Sequence, residues 1–150
     1  MGQAVTRKLV FRLGGVAFSL DLSFVVEICE QVADLLDLTC PDLTVGIVGA
    51  LTFRNTRVPA IDPAARLGLS PATASSGRTA LILTSSEGNW ALLVDRVENI
   101  SPVEKFQSLE LPSLFRGAVS EHYSQVELFC SEPIICFEPE RFYGISGLIT

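Results

Sequence analysis

The chain has 150 residues, 48% of them apolar, and a formal charge of −6. That length suits one ordinary domain or two small cores, and the acidic balance makes nucleic acid a poor partner, because such a surface repels phosphates. No apolar stretch approaches the roughly 18 residues of a membrane span, and Arg12 breaks the N-terminal apolar run before a signal-peptide core develops; a cytoplasmic protein without direct membrane insertion is expected.

Alternation with a period of two dominates the chain. Leu9, Phe11 and Leu13 share one face while Lys8, Val10 and Arg12 take the other, and after Gly14-Gly15 the residues Val16, Phe18 and Leu20 alternate with Ala17, Ser19 and Asp21. The glycine pair supplies the positive φ angles of a two-residue hairpin turn. SFVVEI at 23–28 reads as one helical turn capped by Ser23 or Asp21. After a loop through Cys40-Pro41, IVGALTF at 47–53 and RVPAI at 57–61 read as a second hairpin with Arg54-Asn55-Thr56 at the corner, where Asn55 tolerates a left-handed backbone. Pro59 cannot donate to a sheet ladder, so its strand should lie at an edge or carry a bulge. DPAARLGL then has helix punctuation: Asp62 as N-cap, Pro63 at the first position and Gly68 past the end. SPATASSGR at 70–78 is a polar connector.

Beyond it the order repeats. TALILTS (79–85) and NWALLV (89–94) form a hairpin around Ser86-Glu87-Gly88, and DRVENI (95–100) echoes SFVVEI. Gly117-Ala118-Val119 resembles Gly49-Ala50-Leu51, and FEPERFYG (137–144) resembles IDPAARLG (61–68). A unit of roughly 70 to 75 residues used twice, with about five short strands in each, predicts an all-β fold of two packed five-stranded barrels with a few helical turns and a seam near 70–78.

Gly49, Phe53, Arg54, Val58, Pro59 and Asp62 stand at the spacing G-x-x-x-F-R-x-x-x-V-P-x-x-D, which resembles the G-x-x-N-L-R-G-x-x-x-P-x-x-D-L signature of CheW-like domains, the chemotaxis coupling proteins. LVFRLGGVAFSLDLSFVVEI is similar to the family's opening hairpin and ALILTSSEGNWALLVDRVENI to its central one. The resemblance implies a single CheW-like domain of two SH3-like barrels and a non-catalytic adaptor with no cofactor and no metal. Its implied partners are the cytoplasmic tip of a methyl-accepting chemoreceptor and the regulatory domain of a CheA-type histidine kinase. Carried over by position, Arg54 matches the arginine of the motif turn, and Val25 and Glu27 match positions that face receptor. Thr52, Asn55, Val48 and Gly49 complete the partner-binding set. The chain departs from the family pattern in having Thr52 for Asn, Asn55 for Gly, Val48 for a basic residue and Pro63 for Leu, so its partner choice should differ electrostatically. The stretch 120–133 is longer than the family's usual connection.

Other classes are weaker. An enzyme would use Cys29, Cys130 or Cys136 with His122, or Asp62 with Asp95 as acid and base, but the one histidine lies in the polar stretch SEHYS. The four cysteines, Cys40 included, lack metal-ligand spacing and read as small buried hydrophobes. A small-ligand sensor between the barrels, or a scaffold of another two-component pathway, is the alternative, without a Gly-rich phosphate loop to support a nucleotide.

Overall fold

The computed structural model describes residues 6–30, 32, 35–37, 47–70, 78–109 and 125–139. Strands β1 (Arg7–Leu13) and β2 (Val16–Asp21) form the first hairpin, with Gly14 and Gly15 at φ 61° and 82°. The Asp21 carboxylate then accepts the Ser23 N–H at 2.9 Å and caps a 3-10 turn, Leu22–Phe24. The expected helical turn ends there. Val25–Cys29 is strand β3, antiparallel to β7 (Thr79–Ser85), as suits a β-branched pair beside an open sheet edge.

Strand β4 (Leu36–Asp37) precedes the motif hairpin β5 (Ile47–Phe53) and β6 (Thr56–Ile61). Helix α1 (Ala64–Leu67) starts where Asp62 accepts the Ala64 N–H at 3.0 Å and ends at Gly68, φ 70°, so the punctuation holds. Strand β8 (Gly88–Val94) pairs with β7; β9 (Arg96–Pro102), a 3-10 turn (Val103–Lys105), β10 (Gln107–Leu109), β11 (Val126–Phe129) and β12 (Glu132–Cys136) complete the order.

Among the described residues these strands form two six-stranded sheets, in the orders β10-β11-β12-β2-β1-β9 and β3-β7-β8-β6-β5-β4. Five strands were expected in each, and a tandem division at 70–78 does not describe them. Strand β3 leaves the first hairpin to pair with β7, and β9 leaves the β7–β8 hairpin to pair with β1, so the two units exchange their third strands. The echo of SFVVEI in DRVENI marks these two crossing strands. The motif hairpin β5–β6 has its counterpart in β11–β12: both turns put two non-glycine residues at positive φ, Arg54-Asn55 and Cys130-Ser131. The echo at 117–119, most of the 70–78 connector, residues 140–144 and His122 lie outside the described residues, as do Cys40 and Pro41.

Alternation along the central strands sorts side chains into three cores. Val10, Ala17, Phe106, Phe129 and Ile134 fill the first barrel, with Phe106 and Phe129 stacked at 4.5 Å. Leu51, Phe53, Val58, Ala60, Ala80, Ile82, Ala91 and Leu93 fill the second. Cys29 from one edge of that sheet and Leu36 from the other pack on the same cluster, so the sheet curls on itself. Between the barrels lie Leu9, Phe11, Leu13, Phe18, Leu20, Leu81, Leu83, Trp90, Leu92 and Val94. The central strands are thus buried on both faces, which explains continuous apolar runs such as ALIL and WALLV.

Pro59 requires a correction. Strand β6 is not an edge, because it lies between β5 and β8. Its parallel ladder with β8 holds Ala60↔Ala91 and Ile61↔Leu92 and ends at Pro59, which has no N–H to extend it, while the β5–β6 ladder carries a register shift between Ile47 and Gly49, so the irregularity expected of this hairpin lies on β5.

Candidate functional site

The β5–β6 turn holds Arg54 at φ 50° and Asn55 at φ 64°. These are the two positive angles of a type I′ connection, and they turn the corner in two residues, with Phe53 paired to Thr56. Asparagine adopts this region readily; arginine does so at some cost. Two contacts hold the Arg54 side chain there. Its guanidinium lies 4.7 Å from the centroid of the Phe53 ring, and Nη2 donates to Glu27 Oε1 on β3 at 3.1 Å. Even so, 67% of the Arg54 side chain and 45% of the Glu27 side chain stay exposed. The result is a pre-positioned donor fork that stays largely open to solvent.

The structure therefore joins Arg54 to Glu27 across the mouth of the second barrel, from residues 27 positions apart. Thr52 and Asn55 are exposed on the same hairpin, and Thr52 donates its N–H to Leu35 O at 3.1 Å. Val48, Gly49 and Val25 point elsewhere. Val48 packs against the second barrel's core, Gly49 is buried opposite Ala60, and Val25 packs against the inter-barrel core. Their surroundings are those of residues that place the corner.

Two neighbours were not among the expected partner-binding residues. Phe53 is 7% exposed and serves as the platform under Arg54. Arg57, opposite Thr52 in the ladder, donates to Asp37 Oδ2 at 3.2 Å and adds a second exposed guanidinium. The alternation along TRVP could have shown that Arg57 faces outward with Pro59, since Val58 and Ala60 face the core. Between the tips of the β5–β6 and β7–β8 hairpins, Phe53, Arg54, Arg57, Pro59, Glu87 and Asn89 are among the residues lining a shallow groove of about 490 Å³.

The carboxylates once weighed as an acid–base pair are engaged separately. Asp62 caps α1 and forms an ion pair with Arg78, Oδ2 lying 2.8 Å from Nη1, whereas Asp95 accepts the Gly14 N–H at 2.8 Å and fixes the first hairpin turn. The cysteines differ among themselves, contrary to a uniform buried reading: Cys136 is buried, Cys29 half-buried, and Cys130 exposed at φ 53° in a turn. Burial is the main reason the Cys136 thiol is pushed up to about 11. Burial first, then the nearby Glu27 carboxylate, also raises the Cys29 thiol. Neither is an activated nucleophile. No helix among the described residues is long and apolar enough to cross a membrane.

The described residues thus form a small all-β protein of two barrels that exchange strands, with an exposed arginine at the β5–β6 corner. The CheW-like domain model matches residues 7–125, and the chain belongs to that family. Among solved structures it is similar to the scaffolding protein TtCheW from Thermoanaerobacter tengcongensis, with 19% identity over 90% of each chain and a TM-score of 0.68. No curated protein matches it.

Proposed function

We propose that this protein is a non-catalytic adaptor that couples chemoreceptors to a histidine kinase through protein–protein contacts, with Arg54 as an anchor of the partner-binding face. Family membership supports the coupling role, and the fold matches that of a protein described as a scaffold. The observation that carries the assignment of the face is Arg54 itself. A non-glycine residue is held at φ 50° with its guanidinium stacked on Phe53 and tied to Glu27, yet remains two-thirds exposed. The exposed ion pair contributes below about 1 kcal/mol and the contact with the Phe53 ring about 0.5–1 kcal/mol; these hold the arginine at the turn but do not account for leaving most of its guanidinium exposed. A role in binding explains it better, since ordered arginines beside aromatic rings recur among the residues that dominate interfaces.

The test is Arg54→Glu, with affinity for a chemoreceptor cytoplasmic tip and for the kinase regulatory domain measured by titration calorimetry. The substitution is expected to shift Tm by no more than about 2 °C and to weaken at least one association by about tenfold or more. Unchanged affinity for both partners contradicts the assignment. A large loss of Tm makes Arg54 structural instead.

A further inference from the structure

The groove beside Arg54 owes its existence to a break in the sheet. In the β5–β6 hairpin the pair flanking the two-residue turn, Phe53↔Thr56, is hydrogen-bonded, and bonded pairs alternate with non-bonded ones along the ladder. Arg57 and Pro59 therefore occupy non-bonded pairs with Thr52 and Ala50 and direct their backbone groups away from β5, toward β8. The same parity on the other hairpin, where Ser85↔Gly88 flanks the turn, directs the backbone groups of Asn89 and Ala91 toward β6. A parallel ladder through Ala60↔Ala91 and Ile61↔Leu92 then places Pro59 C=O against Ala91 N–H. To continue toward the hairpin tips it would need Pro59 to donate to Asn89 C=O. Proline has no N–H, and the ladder stops there.

The strands remain unpaired beyond this point, and Arg57 and Asn89 face each other across the groove with backbone donors and acceptors outside any ladder. Its other features select an occupant. Unused strand-edge groups on two sides recognise extended backbone. Arg54 and Arg57 stand on the rim, 67% and 58% exposed, against one acidic residue, Glu87, among those lining the groove. Each donates from Nη2 to an internal carboxylate, Arg54 to Glu27 and Arg57 to Asp37. The volume of about 490 Å³ holds a few residues rather than a helix about 10 Å across.

We propose that the notch between β6 and β8, kept open by Pro59, docks a short extended acidic segment of a partner protein through backbone hydrogen bonds to Arg57 and Asn89. This deepens the reading of Arg54 as a partner-facing residue and rests on it for the nature of the partner.

The probe is a blocked hexapeptide of alternating valine and glutamate, followed by amide hydrogen exchange and titration calorimetry. Arg57 and Asn89 amides are expected to exchange quickly in the free protein and at least about tenfold more slowly with peptide bound. A peptide of the same sequence N-methylated at alternate residues, which keeps its charge and loses its donors, should bind about tenfold more weakly. Pro59→Val supplies the missing donor, so the ladder should extend, Tm should rise and peptide affinity should fall about tenfold, while Pro59→Ala tests the same gain with less bulk. Equal binding of the N-methylated peptide overturns the proposal, as do slow exchange at Arg57 and Asn89 in the free protein or undiminished affinity in both Pro59 variants. If Arg54→Glu weakens receptor or kinase association while these peptide results fail, the adaptor assignment stands and only the strand-docking notch is lost.

Discussion

Replacing Glu127 by leucine should destabilise the first barrel strongly, and replacing its partner as well should restore most of the loss. Glu127 on β11 is 4% exposed; its oxygens each accept from Lys8 Nζ at 2.7 Å, and one also accepts from Ser19 Oγ at 3.0 Å. These bonds tie the late strand β11 to β1 and β2, which the β12–β2 ladder joins at only Ile135↔Phe18 and Cys136↔Ser19. Removing one member of a buried pair costs about 3–5 kcal/mol. The Lys8 side chain keeps 19% exposure and lies 5.5 Å from the Phe106 centroid, so water and the ring compensate in part and Glu127→Leu belongs at about 3 kcal/mol. At about 3 °C per kcal/mol for a chain of this size, Tm falls by about 10 °C. Lys8→Met with Glu127→Leu leaves no orphaned charge and should lie within about 1 kcal/mol of the parent. Urea unfolding followed by fluorescence of the single tryptophan, the buried Trp90, measures all three proteins.

A pH series supplies an internal control. Burial alone would raise the Glu127 pKa, but hydrogen bonds from Lys8, Cys136 and Ser19, with the Lys8 charge, outweigh it and hold the carboxyl below its ordinary value. A carboxyl depressed in the folded state contributes stability above its unfolded pKa and loses it as pH falls through the folded one. The parent should thus weaken in acid more steeply than the double variant. A single variant within 1 kcal/mol of the parent, or a double variant as unstable as the single, refutes the reasoning.

Asp95→Ala removes the acceptor of the Gly14 N–H from a residue 7% exposed; a loss of about 1–3 kcal/mol is expected, with faster amide exchange at Gly14 as the local readout. Alkylation by iodoacetamide at pH 8, mapped by mass spectrometry, should label exposed Cys130 well before Cys136, whose thiol near 11 leaves roughly one part in a thousand as thiolate. Comparable rates at the two sites contradict the buried position of Cys136.

Much of the fold was legible because its local signals are strong. Gly14-Gly15, Asn55 and the Asp62-Pro63 start of α1 each specify one backbone geometry, and the alternation that groups Leu9, Phe11 and Leu13 matches the face packed between the barrels, with Val10 on the opposite face in the first barrel's core. Partner strands were not legible. The first hairpin and its echo read alike whether a third strand returns to its own sheet or crosses, and only long-range pairing sends β3 to β7 and β9 to β1. SFVVEI was read as helix because a cap at Asp21 does announce a turn; the signal does not show that the turn stops after Phe24, where Val25 meets an unpaired sheet edge. Arg54 could be singled out from the motif spacing. Glu27 as its bonded partner, Phe53 as its platform and Arg57 beside it required the barrel to close. Pro59 was noticed for the right reason, its missing N–H, but the consequence falls on the ladder to β8, thirty residues on in sequence.

The central claim is coupling, and reconstitution measures it most directly. Chemoreceptor in membranes, histidine kinase and this protein are combined, and kinase autophosphorylation is followed with and without receptor ligand. The account predicts that adding the protein brings kinase activity under receptor control and that Arg54→Glu impairs this at equal concentration. A kinase whose response to receptor ligand is the same with and without the protein would contradict it.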